Sequence, residues 1–180
     1  MKYAQIRSLD ISNGEGIGIA LFVQGCHFHC KNCFNKETWD FESGKEWTNK
    51  IEDKFIELAD KPHIKRISIL GGEPLADENI SGVFNLVKKI KERYGDEKTI
   101  WLYTGYTWEQ IFNTTLHELI ENFNMKSFLR ISIMAFANVL VDGKYIDDLK
   151  QYNYPFAGST NQRIIDIRKT LESGDVMKWI

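Results

Sequence analysis

The 180-residue sequence predicts an α/β fold, a partial (incomplete) βα barrel with a mainly parallel curved sheet. Three observations carry that expectation. Short apolar runs alternate with longer segments of helical periodicity, the pattern of βαβ units with right-handed crossovers. The run from Ile17 to Val23 is almost continuously apolar, as expected of a strand buried on both faces of a parallel sheet. About five or six such strands fit in the chain, whereas a complete eight-fold barrel needs roughly 250 residues. A single domain over 1–180 is expected from the length.

Residues 6–11 form a first short strand, with Ile6, Leu9 and Ile11 among polar neighbours. Asn13-Gly14-Glu15-Gly16 is a turn signal, since Gly and Asn tolerate positive φ. The strand at 17–23 ends at Gln24-Gly25, where a cysteine-rich loop begins. Thr38-Trp39-Asp40-Phe41 is expected to pack over a metal cluster held by that loop or over the sheet edge, and 43–45 is a turn. Thr48 or Asn49 caps a helix over 50–60 that places Ile51, Phe55 and Leu58 on one face. A strand over 64–70 runs into Gly71-Gly72-Glu73-Pro74. A helix over 78–94 follows, with Ile80, Val83, Phe84, Val87, Ile90 and Tyr94 at helical spacing, and Gly95-Asp96 ends it.

Residues 99–103 are a third central strand, leading to Thr104-Gly105-Tyr106. A third helix spans 107–123, with Trp108, Ile111, Phe112, Leu116, Leu119, Ile120 and Phe123 as its apolar stripe. Residues 128–133 fit either a strand or a helical turn. Residues 139–141 are a strand ending at Asp142-Gly143-Lys144, and 146–149 a short helical turn. Residues 154–161 are loop, 163–167 the last strand and 168–172 a short helix.

A net charge of −2 gives no sign of nucleic-acid binding, which calls for a basic excess or stripe. Lys88, Lys89 and Lys91 fall on the polar face of a helix. No segment has the apolar length to cross a bilayer, so no membrane association is expected. The first ten residues lack the basic region and apolar block of a secretory signal, which makes the cytoplasm the expected location. Three cysteines, an odd number, do not make a disulfide framework. In a reducing compartment, clustered cysteines point to metal or redox chemistry.

Those cysteines, Cys26, Cys30 and Cys33, are spaced Cys-x3-Cys-x2-Cys within eight residues. Thiolates are soft ligands that select zinc or iron–sulfur. Zinc would need four closed ligands, and His27 or His29 would complete a Cys3His set, though from inside one tight loop. An electron-transfer 4Fe–4S centre takes four cysteines, and no fourth exists. Three leave one iron of a cubane open to a substrate or cofactor.

This spacing after an apolar strand resembles the signature of the radical S-adenosylmethionine enzymes. The resemblance implies that Cys26, Cys30 and Cys33 hold the catalytic 4Fe–4S cluster. The amino and carboxylate groups of S-adenosyl-L-methionine would chelate the open iron. Reductive cleavage would then give a 5′-deoxyadenosyl radical, with the cofactor carrying the chemistry and the protein positioning it. Gly71-Gly72-Glu73 follows the next main strand, as that family's Gly-Gly-Glu segment does. By the resemblance, Glu73 accepts a charge-assisted hydrogen bond from the ammonium of the methionine moiety. The family usually carries an aromatic residue before the third cysteine, where this sequence has Asn32. Asn32, Phe34 and the backbone at Cys33 are therefore the candidates for adenine contact, with simple packing the alternative for Phe34. Thr104 and Asp142, at two further strand ends, are candidates for ribose, carboxylate or cation contact; an ordinary turn is the alternative for each. Lys36 and Arg163 are possible cofactor-carboxylate or partner contacts, while His63 and His117 are expected to be surface or satisfied polar residues.

A narrower resemblance covers essentially the whole chain. The segment 10–16, the Cys-Phe-Asn-Lys-Glu-Thr-Trp-Asp-Phe run from Cys33, the segments 101–108 and 139–144, and 158–166 are similar to the activating proteins of anaerobic (class III) ribonucleoside-triphosphate reductases. That implies an oxidoreductase generating a glycyl radical on the reductase large subunit, whose glycine loop is the substrate. A flavodoxin- or ferredoxin-like reductant is implied as well. The alternatives are an activator of pyruvate formate-lyase, a 7-carboxy-7-deazaguanine synthase, or, in a different class, a non-catalytic zinc or iron–sulfur electron-transfer protein.

Overall fold

The computed structural model describes residues 1–112 and 124–179. Seven strands form one sheet: β1 (Lys2–Asp10), β2 (Gly18–Val23), β3 (Lys45–Glu46), β4 (Arg66–Gly71), β5 (Thr99–Tyr103), β6 (Val139–Asp142) and β7 (Arg163–Asp166). The described helices are α1 (Asn49–Ala59), α2 (Ile80–Tyr94), α3 (Met125–Phe136) and α4 (Ile167–Ser173), with residues 108–112 also helical. The strand order is β3-β1-β2-β4-β5-β6-β7. Its two edges, β3 and β7, do not pair, so the sheet is not a closed barrel.

The four central strands, β2, β4, β5 and β6, are parallel. β1 pairs antiparallel with β2 and with β3, and β7 pairs antiparallel with β6. The sheet is thus mainly parallel, as expected, and the connections explain its antiparallel edges. A parallel neighbour needs a crossover of a dozen or more residues, usually helical. Only the short turn carrying Asn13 and Gly14 separates β1 from β2, and no α-helix lies between β6 and β7.

Every residue of β2 is buried, as its apolar run predicts. Side chains alternate between the two faces of the sheet. On one face Ile19, Leu21, Ile67, Ile69, Ile100, Leu102, Leu140 and Ile165 pack with Phe55, Val83, Leu86 and Ile133 of the helices. The other face carries two smaller clusters, Ala20–Phe22–Leu70 and Trp101–Val139–Val141–Ile164. Arg66 is also on this face, fully buried. Its guanidinium donates to the Asp10 carbonyl at 2.8 Å and to the Asp10 carboxylate at 2.9 Å, and Ser68 donates to the Asn13 carbonyl at 2.6 Å. These bonds fasten the β1–β2 turn to the sheet.

The helix ends follow the sequence signals. The Thr48 side chain caps α1, and Gly95, with φ +54°, stops α2. The ambiguous 128–133 segment lies within helix α3: Asn124 caps it by accepting from Lys126 N at 2.9 Å, and Leu129 and Ile133 are buried one turn apart. The first strand begins earlier than expected, at Lys2, and the two-residue β3 replaces part of the expected 43–45 turn. The expected 107–123 helix is present over 108–112. Its remainder, with Leu116, His117, Leu119, Ile120 and Phe123, lies outside the described residues. Among the described residues no helix is long and apolar enough to cross a membrane.

Candidate cluster and cofactor site

The parallel strands β2, β4, β5 and β6 end on the same side, where α/β sheets collect ligand-binding loops. The cysteine loop leaves β2 between two sets of ties. Gly25 N and Cys26 N donate to the Thr38 and Trp39 carbonyls at 2.7 and 3.0 Å. The buried Gln24 carboxamide donates to the carbonyls of Glu37 and Asp40 at 3.0 and 2.8 Å. The 37–40 carbonyls therefore hold the start of the cysteine loop in place. On the other side, Asn79 Nδ2 donates to the Gln24 carbonyl at 2.9 Å and the Glu73 carbonyl at 3.0 Å. Gln24 and Asn79 carried no signal in the sequence, because a carboxamide that bridges backbone carbonyls belongs to no local motif.

Cys26, Cys30 and Cys33 are all half-buried free thiols, and all three line one cavity of about 760 Å3. Burial pushes the Cys26 thiol up to about 11 and raises that of Cys30. Cys33 Sγ accepts from the Asn35 N–H at 3.4 Å. Neither loop histidine lines the cavity. His27 Nε2 sits 3.1 Å from Glu78 Oε1 and its ring packs on Phe41; the His29 ring stacks on Trp39 at 4.7 Å. The fourth ligand of a Cys3His zinc site is thus turned elsewhere. Among the described residues, no three His, Cys, Asp or Glu side chains gather as ligands of one metal ion. A cubane asks for something else, one thiolate per iron around the cluster. Three thiols on the wall of a shared cavity fit that requirement.

The Gly-Gly-Glu turn faces the same cavity. Gly72 N donates to the Val23 carbonyl at 2.9 Å and Glu73 N to the Gly25 carbonyl at 2.7 Å. A Cβ on Gly72 would lie 2.3 Å from the Gly25 carbonyl oxygen, and Gly71 has φ +101°. The glycines therefore let the turn close against the cysteine loop itself. Glu73 is 2% exposed. Its Oε1 accepts from Leu75 N at 2.9 Å and Thr104 Oγ1 at 2.7 Å, and its Oε2 from Gly105 N at 2.8 Å. Burial pushes the carboxyl up to about 7 despite these donors.

Of the remaining candidates, Thr104 lines the cavity through this contact with Glu73. Phe34 also lines it, 59% exposed, with its ring 5.2 Å from that of Tyr145. Asn32 does not line it. It adopts φ +56°, a conformation asparagine tolerates, and its carboxamide donates to Asp147 Oδ2 at 2.7 Å. Asp142 is buried away from the cavity: Oδ2 accepts from Trp108 N at 2.7 Å and Oδ1 from Arg163 Nε at 3.0 Å. Arg163 also holds Glu109 in a two-bond fork at 2.9 and 2.8 Å, so its guanidinium is shared between Asp142 and Glu109. Lys36 and His63 are exposed.

The Gly-Ser-Thr-Asn-Gln-Arg run acts as a brace. Gln162 donates to the Gly143 carbonyl at 2.9 Å and accepts from Gly158 N at 2.9 Å. Asn161 donates to the Lys144 carbonyl at 2.8 Å, and Ser159 Oγ accepts from Ile146 N at 3.2 Å. The loop after β6 is thereby fixed along the cavity.

Comparison with known proteins agrees with this arrangement. Residues 12–165 match the family model of a 4Fe–4S single cluster domain. The anaerobic ribonucleoside-triphosphate reductase-activating protein of Vibrio cholerae is 37% identical over 166 residues, covering 91% of this chain and 97% of that protein. The chain belongs to this family of activating proteins. The Escherichia coli member is 35% identical over 170 residues, covering 93% of this chain and all of the relative. The Enterobacteria phage T4 member is 32% identical, covering 91% and 93%. In this member of the family, the cysteine loop, the Gly-Gly-Glu turn and the 158–163 brace surround one cavity.

Proposed function

We propose that this protein is a radical S-adenosylmethionine oxidoreductase of the glycyl-radical-activating type, acting on the large subunit of an anaerobic ribonucleoside-triphosphate reductase. The observation that carries the proposal is the cavity shared by Cys26, Cys30, Cys33 and Glu73, in a chain of this family. When bound, a three-cysteine 4Fe–4S cluster would supply the electron that cleaves S-adenosyl-L-methionine, and the resulting radical would take hydrogen from a glycine of the reductase.

The residues divide the remaining work. The three thiolates hold the cluster and leave one iron for the cofactor. A carboxylate offers about four acceptor positions, and three at Glu73 are filled from within. The fourth is available to the cofactor ammonium. Thr104 fixes the carboxylate and borders the same space. Phe34 offers an apolar ring for the adenine, with the Cys33 backbone beside it. Asn32 serves by shaping the loop through its left-handed backbone and Asp147. Asp142 acts behind the wall, fixing Arg163 and the start of the 108–112 helix.

We read the open sheet as a partial βα barrel forming a single domain, with its open side admitting a polypeptide substrate. The protein works in the cytoplasm with a flavodoxin- or ferredoxin-like reductant, without nucleic acid or membrane. The test is anaerobic reconstitution with iron, sulfide, S-adenosyl-L-methionine and the reductase large subunit, read by electron paramagnetic resonance. The expected result is a glycyl-radical doublet on the reductase that is lost in Cys30→Ala. A doublet on pyruvate formate-lyase and none on the reductase overturns the assignment.

A further inference from the structure

Residues 151–158 form a loop pinned at its base, where Lys150 bridges Ser159 and Thr160 N donates to the Leu149 carbonyl at 2.9 Å. Its inner side is built in. Tyr154 donates to the Gln162 carbonyl at 3.1 Å, and Phe156, at φ +58°, packs edge-on to Trp101. Its outer side is bare. Tyr152 is 87% exposed, and the Lys150 ammonium lies 4.6 Å from the Tyr152 ring centroid and 5.0 Å from that of Phe34. Ring, cation and ring form a row on the rim of the cavity that holds the cysteines.

We propose that Lys150 and Tyr152 are the docking edge for the reductase, gripping the polypeptide that leads its glycine into the cavity. This rests on the activating function proposed above. A small substrate would be enclosed and would leave the rim free. A glycine within a protein chain reaches the cluster only if the residues flanking it cross the rim. Exposed aromatic residues are the common anchors of such contacts, since a large ring is buried with few torsions to fix. Lys150 pre-orders the Tyr152 ring and offers its ammonium to carbonyls or carboxylates of the entering chain. Arg7, which borders the cavity, is paired with Asp10, whereas Lys144 and Lys150 present their ammonium groups over the rings of Phe28 and Tyr152 on its rim, a positive edge suited to an electron-rich segment.

The test compares the reconstituted wild type with Tyr152→Ala, Tyr152→Phe and Lys150→Ala. Three quantities are read: S-adenosyl-L-methionine cleavage without reductase, glycyl-radical formation against reductase concentration, and cluster reduction by flavodoxin. At saturating S-adenosyl-L-methionine and without reductase, the alanine variants are expected to cleave the cofactor at the wild-type rate. Their KM for the reductase should rise at least about fivefold, with kcat kept at saturation. Tyr152→Phe should stay within about twofold of wild type, since the ring carries the contact. An unchanged KM overturns the proposal. So does a fall in uncoupled cleavage at constant KM, which would give the rim to the cofactor, or slower cluster reduction at constant KM, which would give it to the reductant. A wild-type protein that raises no radical on any reductase sinks the activating function instead, and the docking edge with it.

Discussion

Thr104 Oγ1 donates to Glu73 Oε1 at 2.7 Å, so the ends of β5 and β4 are joined by a buried bond at the cavity wall. The same carboxylate takes the Leu75 and Gly105 N–H groups. Glu73 is therefore a structural acceptor as well as the proposed partner of the cofactor ammonium, and the two roles separate by substitution.

Glu73→Ala strips partners from three donors and is expected to destabilise the apo-protein by about 3 kcal/mol or more, at roughly 1–3 kcal/mol for each buried group left unpaired. Thr104→Val removes one donor from the carboxylate, leaving it bonded to two N–H groups, and also takes away the acceptor of the Tyr106 N–H. It should cost about 1–2 kcal/mol and keep the cluster, while weakening cofactor binding by loosening the carboxylate. Urea unfolding and calorimetry with S-adenosyl-L-methionine check both. Equal stability of Glu73→Ala and wild type would show that the three donors find other partners.

A second relationship concerns the cysteine loop. Asn79 is 1% exposed and joins the Gln24 and Glu73 carbonyls through one amide nitrogen. Asn79→Leu leaves both carbonyls without that donor and is expected to cost about 2 kcal/mol. Because one of those carbonyls directly precedes the cysteine loop, the variant should also lose iron faster than wild type under a chelator. Absorbance at the cluster band during anaerobic chelation follows that loss; identical rates would detach Asn79 from loop order.

How far the sequence foretold these features depends on whether a feature is local. The strand at 17–23, the Thr48 cap and the Gly95 stop depend on neighbours in the chain, and all three are present. The cysteine spacing and the Gly-Gly-Glu turn are local too, and they share the cavity. Pairings across the sheet were harder to see. Asp142 sits at a strand end, as Thr104 does, but its carboxylate points to Arg163 and Trp108. Position at a strand end does not fix which side of the wall a side chain faces. Likewise Asn32 resembles a cofactor contact by motif position, yet its carboxamide meets Asp147, 115 residues later. The helix at Met125–Phe136 was ambiguous because Phe128 to Ile133 mixes β-branched and helix-forming residues; Asn124 and the buried Leu129–Ile133 spacing decide it.

The Asp142–Arg163–Glu109 group makes a pH prediction. Arg163 donates to Glu109 and holds its carboxyl at about 2, below the usual 4.5. Between those values the unfolded chain binds the extra proton, so stability falls as pH drops. The contribution is complete above pH 4.5 and is lost as pH approaches 2. Glu109 is half exposed, with 49% of its side chain accessible, so screening limits the effect to about 1 kcal/mol or less. Urea unfolding of wild type and Glu109→Gln should therefore give a constant gap above pH 4.5 that closes on acidification. Arg163→Ala differs in kind. It leaves the Asp142 carboxylate, 1% exposed, with the Trp108 N–H as its remaining donor among the described residues, and breaking a buried ion pair costs about 3–5 kcal/mol. That variant should unfold at much lower urea at neutral pH and recover part of the loss in Arg163→Ala/Asp142→Asn, where no buried charge is left. Failure of the second substitution to recover stability would mean that Arg163 works through packing.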